Sequence, residues 1–283
     1  AIKANEIGAK TALINAGLPL GGTCVNVGCV PSKTLLKIGE IAYYGNHGFK
    51  SISGKLTVDF ERAIKEELEI VDKMRHDKYV QVLSNLKNVT HFEGKAKFVS
   101  KNEIVVGDKR LYGKKFVIAT GSIALPLTLD GIDKVDYITH INALKPRKQP
   151  KSMVIIGAGP LGLEFAQMYH HFGTKVTILH KDQFVMPRTE PELSDALQKY
   201  LEDEGITIFV NAKSKSVRKE NNEIVVTFEI DGKQQEVRGE VLMFAVGKTP
   251  NTKDLDLEKA GVEINERQAI KVNDEMKTTA DHI

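Results

Sequence analysis

Between Phe60 and Leu86, apolar side chains recur at Ile64, Leu68, Val71 and Met74 while charges fill the other faces. That is a helical period, and it predicts one long surface helix. Elsewhere the apolar runs are strand-sized, as at Met153 to Ile156 and Val241 to Val246. A faint internal repeat organises them. Glu103-Ile-Val-Val leads to FVIATG (Phe116 to Gly121), and Glu223-Ile-Val-Val leads to LMFAVG (Leu242 to Gly247). Each copy predicts a buried strand closed by glycine, preceded by alternating segments with the turn signals Gly107-Asp108 and Asp231-Gly232. Such alternation belongs to small antiparallel excursions. Two related α/β domains are therefore expected. LKPRKQPKS (Leu144 to Ser152), with two prolines and four basic residues, has linker composition and sets the boundary. The expected organisation is a first domain over 1–147, a second over 148–275, and a return to the first at 276–283. The opening AIKANEIGAKTALI reads as a helix end followed by a strand, and MKTTADHI stops where a further strand would start. The chain is accordingly expected to be part of a longer protein.

Composition narrows the function classes. The 283 residues are 41% hydrophobic and 27% charged, ordinary for globular domains. A formal charge of +3, with no basic run interleaved with aromatics, argues against nucleic acid as partner. No apolar run approaches the roughly 20 residues that span a bilayer, so no membrane partner is expected.

The clearest local motif is SMVIIGAGPLGLEFAQMYHHFGTKVTILHK, in which a buried strand runs into Gly157-Ala158-Gly159-Pro160-Leu161-Gly162, then a helix, then a strand over Lys175 to Leu179. This is G-x-G-x-x-G in a strand–turn–helix context, and it predicts a Rossmann-like dinucleotide site. Gly157 would allow the tight turn, Gly159 the approach of a pyrophosphate, and Gly162 close packing of helix on strand. The helix N-terminus would stabilise the phosphate charge. An NAD site places an acid at the end of the second strand, whereas this chain has His180 and Lys181. That basic corner suits the 2′-phosphate of NADPH, with NADH as the alternative. The alternative is two solvated residues at a strand end.

GGTCVNVGCVPSK (Gly21 to Lys33) holds the only two cysteines, Cys24 and Cys29. Zinc fits poorly, because two cysteines with no second pair cannot fill a tetrahedral shell. Isolated structural thiols remain open, as does a redox pair. A regular helix holds residues five apart at roughly 8–9 Å, beyond the roughly 7 Å a disulfide tolerates. If the pair closes, the segment must be distorted. Gly28 offers the freedom, and Pro31-Ser32 can start the helix that follows. A thiol near a helix start is biased towards thiolate.

GGTCVNVGCVPSKTLL is similar to the redox motif of class I flavoprotein disulfide reductases, which include dihydrolipoamide dehydrogenase, glutathione reductase and mercuric reductase. FVIATGS (Phe116 to Ser122), the glycine motif with Glu164, and AVGKTPNT (Ala245 to Thr252) resemble later landmarks in the same order, so the likeness covers the whole chain. PSK (Pro31 to Lys33) resembles the lipoamide and mercuric members. MRHDKYVQVL (Met74 to Leu83) and the His180-Lys181 corner are more similar to the mercuric ones.

The resemblance implies that electrons pass from NADPH through FAD to a Cys24–Cys29 disulfide. Cys29 would lie next to the flavin, and Cys24 would exchange with substrate. Lys33, one helical turn on, would stabilise reduced flavin and thiolate, and Glu164 would pair with it. Without the resemblance, Lys33 is a solvated helix lysine and Glu164 an ordinary first-turn acid. FAD contacts would come from Gly22, Thr23, Lys33, Ala96, Thr120, Gly121 and Ser122, and Gly247 would border the nicotinamide cofactor. With Hg(II) as substrate, Cys24 and Cys29 become soft ligands of a soft cation that leaves as neutral metal. Dihydrolipoamide is the alternative substrate, and a nucleotide-binding redox module without turnover is the alternative class. The family also implies a preceding strand and glycine turn for FAD, a C-terminal interface domain and a homodimer. Paired redox thiols in a cysteine-poor chain suit a reducing cytoplasm.

Overall fold

The computed structural model describes residues 1–48, 51, 54–146 and 148–283. Its elements run α1 (Ile2–Glu6), β1 (Thr11–Asn15), α2 (Gly22–Val27), α3 (Cys29–His47), α4 (Phe60–Arg75), α5 (Gln81–Ser84), β2 (Val89–Glu93), β3 (Ala96–Ser100), β4 (Glu103–Val106), β5 (Lys109–Tyr112) and β6 (Ser122–Ala124). There follow α6 (His140–Ala143), β7 (Ser152–Ile156), α7 (Pro160–His171), β8 (Lys175–Leu179), α8 (Pro191–Glu204), β9 (Thr207–Phe209), β10 (Lys213–Glu220), β11 (Glu223–Ile230), β12 (Lys233–Gly239), β13 (Val241–Phe244) and β14 (Lys248–Pro250). The fold is α/β with parallel and antiparallel sheets. Contacts gather into two compact units, one of residues 1–26, 73–123 and 248–283, the other of 27–72 and 124–247. Neither unit divides at Leu144 to Ser152.

In the first unit, β1 and β2 form a parallel pair, and β3-β4-β5 form an antiparallel sheet. Gly107, at φ 58°, opens the two-residue turn between β4 and β5. Its core joins Phe98, Ile104 and Val106 of that sheet to Leu257, Ala260 and Val262. One expectation fails here. Phe116 to Gly121 is not a strand, and Val117 is 92% exposed. A strand needs a ladder partner as well as apolar residues, and no described residue ladders with this segment. Phe116 N–H instead donates to the His282 carbonyl.

The second unit holds a four-stranded parallel sheet in the order β13-β7-β8-β9. Its central strand β7 is buried from Met153 to Ile156, as a parallel strand covered on both faces must be. Between β9 and β13 the chain makes the antiparallel excursion β10-β11-β12. Asp231 and Gly232, both at positive φ, turn β11 into β12, the two-residue geometry that matches strand twist. Thus the two Glu-Ile-Val-Val copies each form part of the central strand of a three-stranded sheet. Val154, Ile156, Val226, Phe228, Leu242 and Phe244 form one core, each fully buried side chain stabilising the fold by about 1.5–3 kcal/mol.

Helix α3 lies on α7 with Gly39 at the contact, and Leu35 and Ala42 are buried on the same helix. At Gly39 the backbone comes so close that an added Cβ would stand 3.0 Å from His171 Cβ. The Tyr43 ring stacks on His171 at 4.3 Å, and His171 Nε2 meets Glu204 Oε2 at 3.1 Å. The long helix expected over 60–86 is α4, a π-helical turn at His76–Val80, and α5. Its inward face carries Phe60, Ala63, Ile64, Val71 and, unexpectedly, Glu67.

Candidate active site

The cysteines flank a break in helical structure. Cys24 is the third residue of α2 and Cys29 the first of α3, with Gly28 between the helices at φ −131° and ψ −117°. Both are exposed thiols. Helix α3 begins two residues earlier than Pro31-Ser32 suggested. Pro31 is tolerated there because the first helical N–H groups have no partner to lose. Gly22, at φ 68°, and Thr23 open α2 on the exposed side.

One turn into α3, Lys33 Nζ donates to Glu164 Oε1 on α7. The side chains are 58% and 41% exposed, so this ion pair is worth no more than about 1 kcal/mol. Its value is positional. It links the helix of Cys29 to the helix that leaves the glycine loop.

In that loop the glycines are distinguishable by their surroundings. Gly157 is at φ 112°, and a Cβ on it would strike the Ala245 carbonyl. A Cβ on Gly162 would strike the Gly157 carbonyl. Gly159 differs. It has an ordinary φ of −78°, and a Cβ there would meet nothing within 4 Å. That open space lies at the N-cap of α7, where a phosphate would sit. Gly157 N–H is already given to Leu179 and Leu163 N–H to Gly159. The helix-start donors at Leu161 and Gly162 remain for an anion, and Pro160 has none to offer.

His180 lies beneath the loop and is 7% exposed. Its Nδ1 accepts from Ala158 N–H at 3.2 Å, which fixes that nitrogen as the unprotonated one. Burial pulls its imidazole below the usual histidine range, while Asp182, 3.6 Å from Nε2, acts the other way. Lys181 is the exposed basic group at this corner.

The remaining expected contacts are spread along the chain. Ala96 starts β3 and Ser122 starts β6. Asn251 draws Thr120 and Gly121 together, its Nδ2 donating to the Thr120 carbonyl at 3.3 Å and its N–H to the Gly121 carbonyl at 3.0 Å. Gly121 is at φ 68° with nothing within 4 Å of a built Cβ. Gly247, at φ 118°, accepts from Leu125 N–H after β13. Sequence reasoning missed Asn26, whose amide is fully engaged between the cysteines. Its only signal was its position inside the pair.

A family model described as pyridine nucleotide-disulphide oxidoreductase matches residues 1–283. The chain belongs to that family. Pyridine nucleotide-disulphide oxidoreductases depend on FAD and take NAD(P)H as electron donor, and the open positions at Gly159, Gly22 and Gly121 leave room for such groups. A mercuric reductase from Bacillus cereus is 36% identical over 285 residues, covering 100% of this chain and 45% of that protein. The mitochondrial dihydrolipoyl dehydrogenase 1 of Arabidopsis thaliana is 32% identical over 97% of this chain and 56% of its own length. Among solved structures, the HOCl-induced flavoprotein disulfide reductase RclA from Escherichia coli superposes with a TM-score of 0.88 at 30% identity, covering 100% of this chain and 61% of that one. The chain thus spans about half the length of these curated relatives. Among the described residues, no helix is long and apolar enough to cross a membrane.

Proposed function

We propose that the protein passes an electron pair from NADPH to the Cys24–Cys29 pair and on to Hg(II), releasing neutral mercury. The observation that carries this reading is the pair itself, two exposed thiols on either side of the Gly28 break, with Lys33 one turn beyond. Residues 1–147 serve as the FAD domain and 148–275 as the NAD(P) domain, with 276–283 returning to the first, in a cytoplasmic homodimer whose oligomeric state sedimentation of the full-length protein tests. FAD, when bound, supplies the two-electron carrier between nicotinamide and sulfur.

The chain's own residues hold and orient. Lys181 pairs with the 2′-phosphate, and the Leu161 and Gly162 N–H groups receive the pyrophosphate at Gly159. His180 supports the loop from below through Ala158. Gly22, Thr23, Ala96 and Thr120 to Ser122 border FAD, and Gly247 borders the nicotinamide. Lys33, oriented by Glu164, places positive charge one turn from Cys29, where a thiolate forms. Two electrons and one proton open the disulfide to the Cys24 thiol and the Cys29 thiolate. Cys24, the outer thiol, gives up its proton to bind Hg(II), Cys29 completes a two-sulfur shell that suits a soft cation, and re-forming the Cys24–Cys29 bond as both S–Hg bonds break leaves the electron pair on neutral mercury.

The second reading is dihydrolipoamide oxidation with NAD⁺. It is favoured by the dihydrolipoyl dehydrogenase relatives and by the half-exposed Asp182, two residues past His180. Anaerobic assay of the full-length protein separates them. Hg(II)-dependent NADPH oxidation in excess thiol is expected. Dihydrolipoamide-dependent NAD⁺ reduction with no mercury response overturns the mercuric reading, and no turnover with either leaves a redox module.

A further inference from the structure

Asn26 lies between the two cysteines and is 3% exposed. Its Nδ2 donates to the carbonyls of Pro19 and Gly22, each at 2.9 Å, and reaches that of Leu20 at 3.3 Å. Its Oδ1 accepts from Arg75 Nη1 at 3.2 Å. One amide therefore ties the turn entering α2 to the last residue of α4. A second contact joins the same partners. Directly after Arg75 the chain is π-helical over His76–Val80, a form rare in helices and frequent at functional sites. From that turn the Tyr79 ring lies against Gly21, where an added Cβ would stand 3.1 Å from Cδ2. Gly21 and Gly22 are both at positive φ, so this turn has a shape that local preference alone does not hold for most residues.

We propose that Arg75 is a positioning residue for the redox pair, restricting the Cys24-bearing turn through Asn26 and so setting how readily the Cys24 thiol meets Cys29. This rests on the redox reading above. The equilibrium between dithiol and disulfide depends on the effective concentration of one thiol at the other. A buried amide satisfied on both its nitrogen and its oxygen restricts the turn, and that restriction sets the effective concentration. Removing Arg75 leaves Asn26 Oδ1 without that donor and lets the turn sample more conformations. Lysine at this position keeps the charge but not the planar fork of donors.

The test uses full-length, FAD-bound protein equilibrated anaerobically in glutathione buffers. Cys24 and Cys29 lose two electrons and two protons to form one S–S bond, while one glutathione disulfide is reduced to two thiols. Remaining thiols are trapped and mapped by mass. Arg75→Met is expected to shift the disulfide equilibrium constant by about tenfold, about 30 mV for a two-electron couple. Arg75→Lys is expected to fall between Arg75→Met and wild type, and Arg62→Met, on the exposed side of α4, to match wild type. If Arg75→Met lowers the melting temperature but leaves the redox equilibrium at the wild-type value, Arg75 is only structural and the proposal is overturned. Arg75→Lys decides in the same way should the methionine variant not fold. Wild-type protein that forms no Cys24–Cys29 disulfide at any glutathione ratio would instead remove the redox reading, and the proposal with it.

Discussion

Lys181 and Glu67 show how a residue's surroundings set what it can do. Lys181 is exposed at the end of β8 beside a histidine already engaged with the loop, so the corner's charge rests on one side chain. Lys181→Glu should lower the NADPH/NADH ratio of kcat/KM by on the order of 10- to 100-fold, because a charge-assisted phosphate contact becomes a repulsion. An unchanged ratio would take Lys181 out of the site. Glu67 is 0% exposed, and among the described residues neither carboxylate oxygen has a hydrogen-bond partner. Burial raises its pKa from 4.5 to about 7, with Lys145 opposing and Asp72 reinforcing the shift. The folded state therefore holds a proton that the unfolded chain releases between about pH 4.5 and 7, and stability falls as pH rises through that window. Glu67→Gln should remove this fall and stabilise the protein at pH 8 by on the order of 1–3 kcal/mol. Urea unfolding at pH 5 and pH 8 checks it, and equal pH slopes for wild type and variant would show that Glu67 ionises normally.

The strand–loop–helix of β7 and α7 separates two uses of glycine. Gly162→Ala would drive a methyl into the Gly157 carbonyl and within 3.3 Å of Ala245 Cβ. It should cost about 1–3 kcal/mol of stability by overpacking. Gly159→Ala meets nothing in the protein. It should change stability by less than about 1 kcal/mol yet weaken NADPH binding at least about tenfold, since the backbone must approach the pyrophosphate there. Calorimetry of binding beside thermal melts distinguishes the pair; equal effects of both variants on both quantities would erase the distinction. This element was legible because its periods, glycines and lengths are local properties. So were the Gly107-Asp108 and Asp231-Gly232 turns. FVIATG was misread as a strand because laddering depends on a neighbour that composition does not reveal. His180 was expected to face the 2′-phosphate beside Lys181, because a strand end does not show, in sequence, that its side chain folds under the preceding loop.

At the scale of the whole molecule, the family was legible from the cysteine pair and the order of landmarks, and the match over residues 1–283 agrees. What stayed hidden was pairing across long separations. Arg75 lies far along the chain from Asn26, and no period or motif joins them. The inward-facing Glu67 was hidden within an otherwise regular amphipathic pattern. Long-range packing decides both, and a single sequence records it only indirectly.

The central claim is that electrons from NADPH arrive at Cys24 and Cys29. The direct measurement is anaerobic addition of one equivalent of NADPH to the oxidised full-length FAD-bound protein, followed by alkylation and peptide mass mapping. The account predicts two new thiols, one at Cys24 and one at Cys29. NADPH consumed with both positions still joined as a disulfide would contradict it.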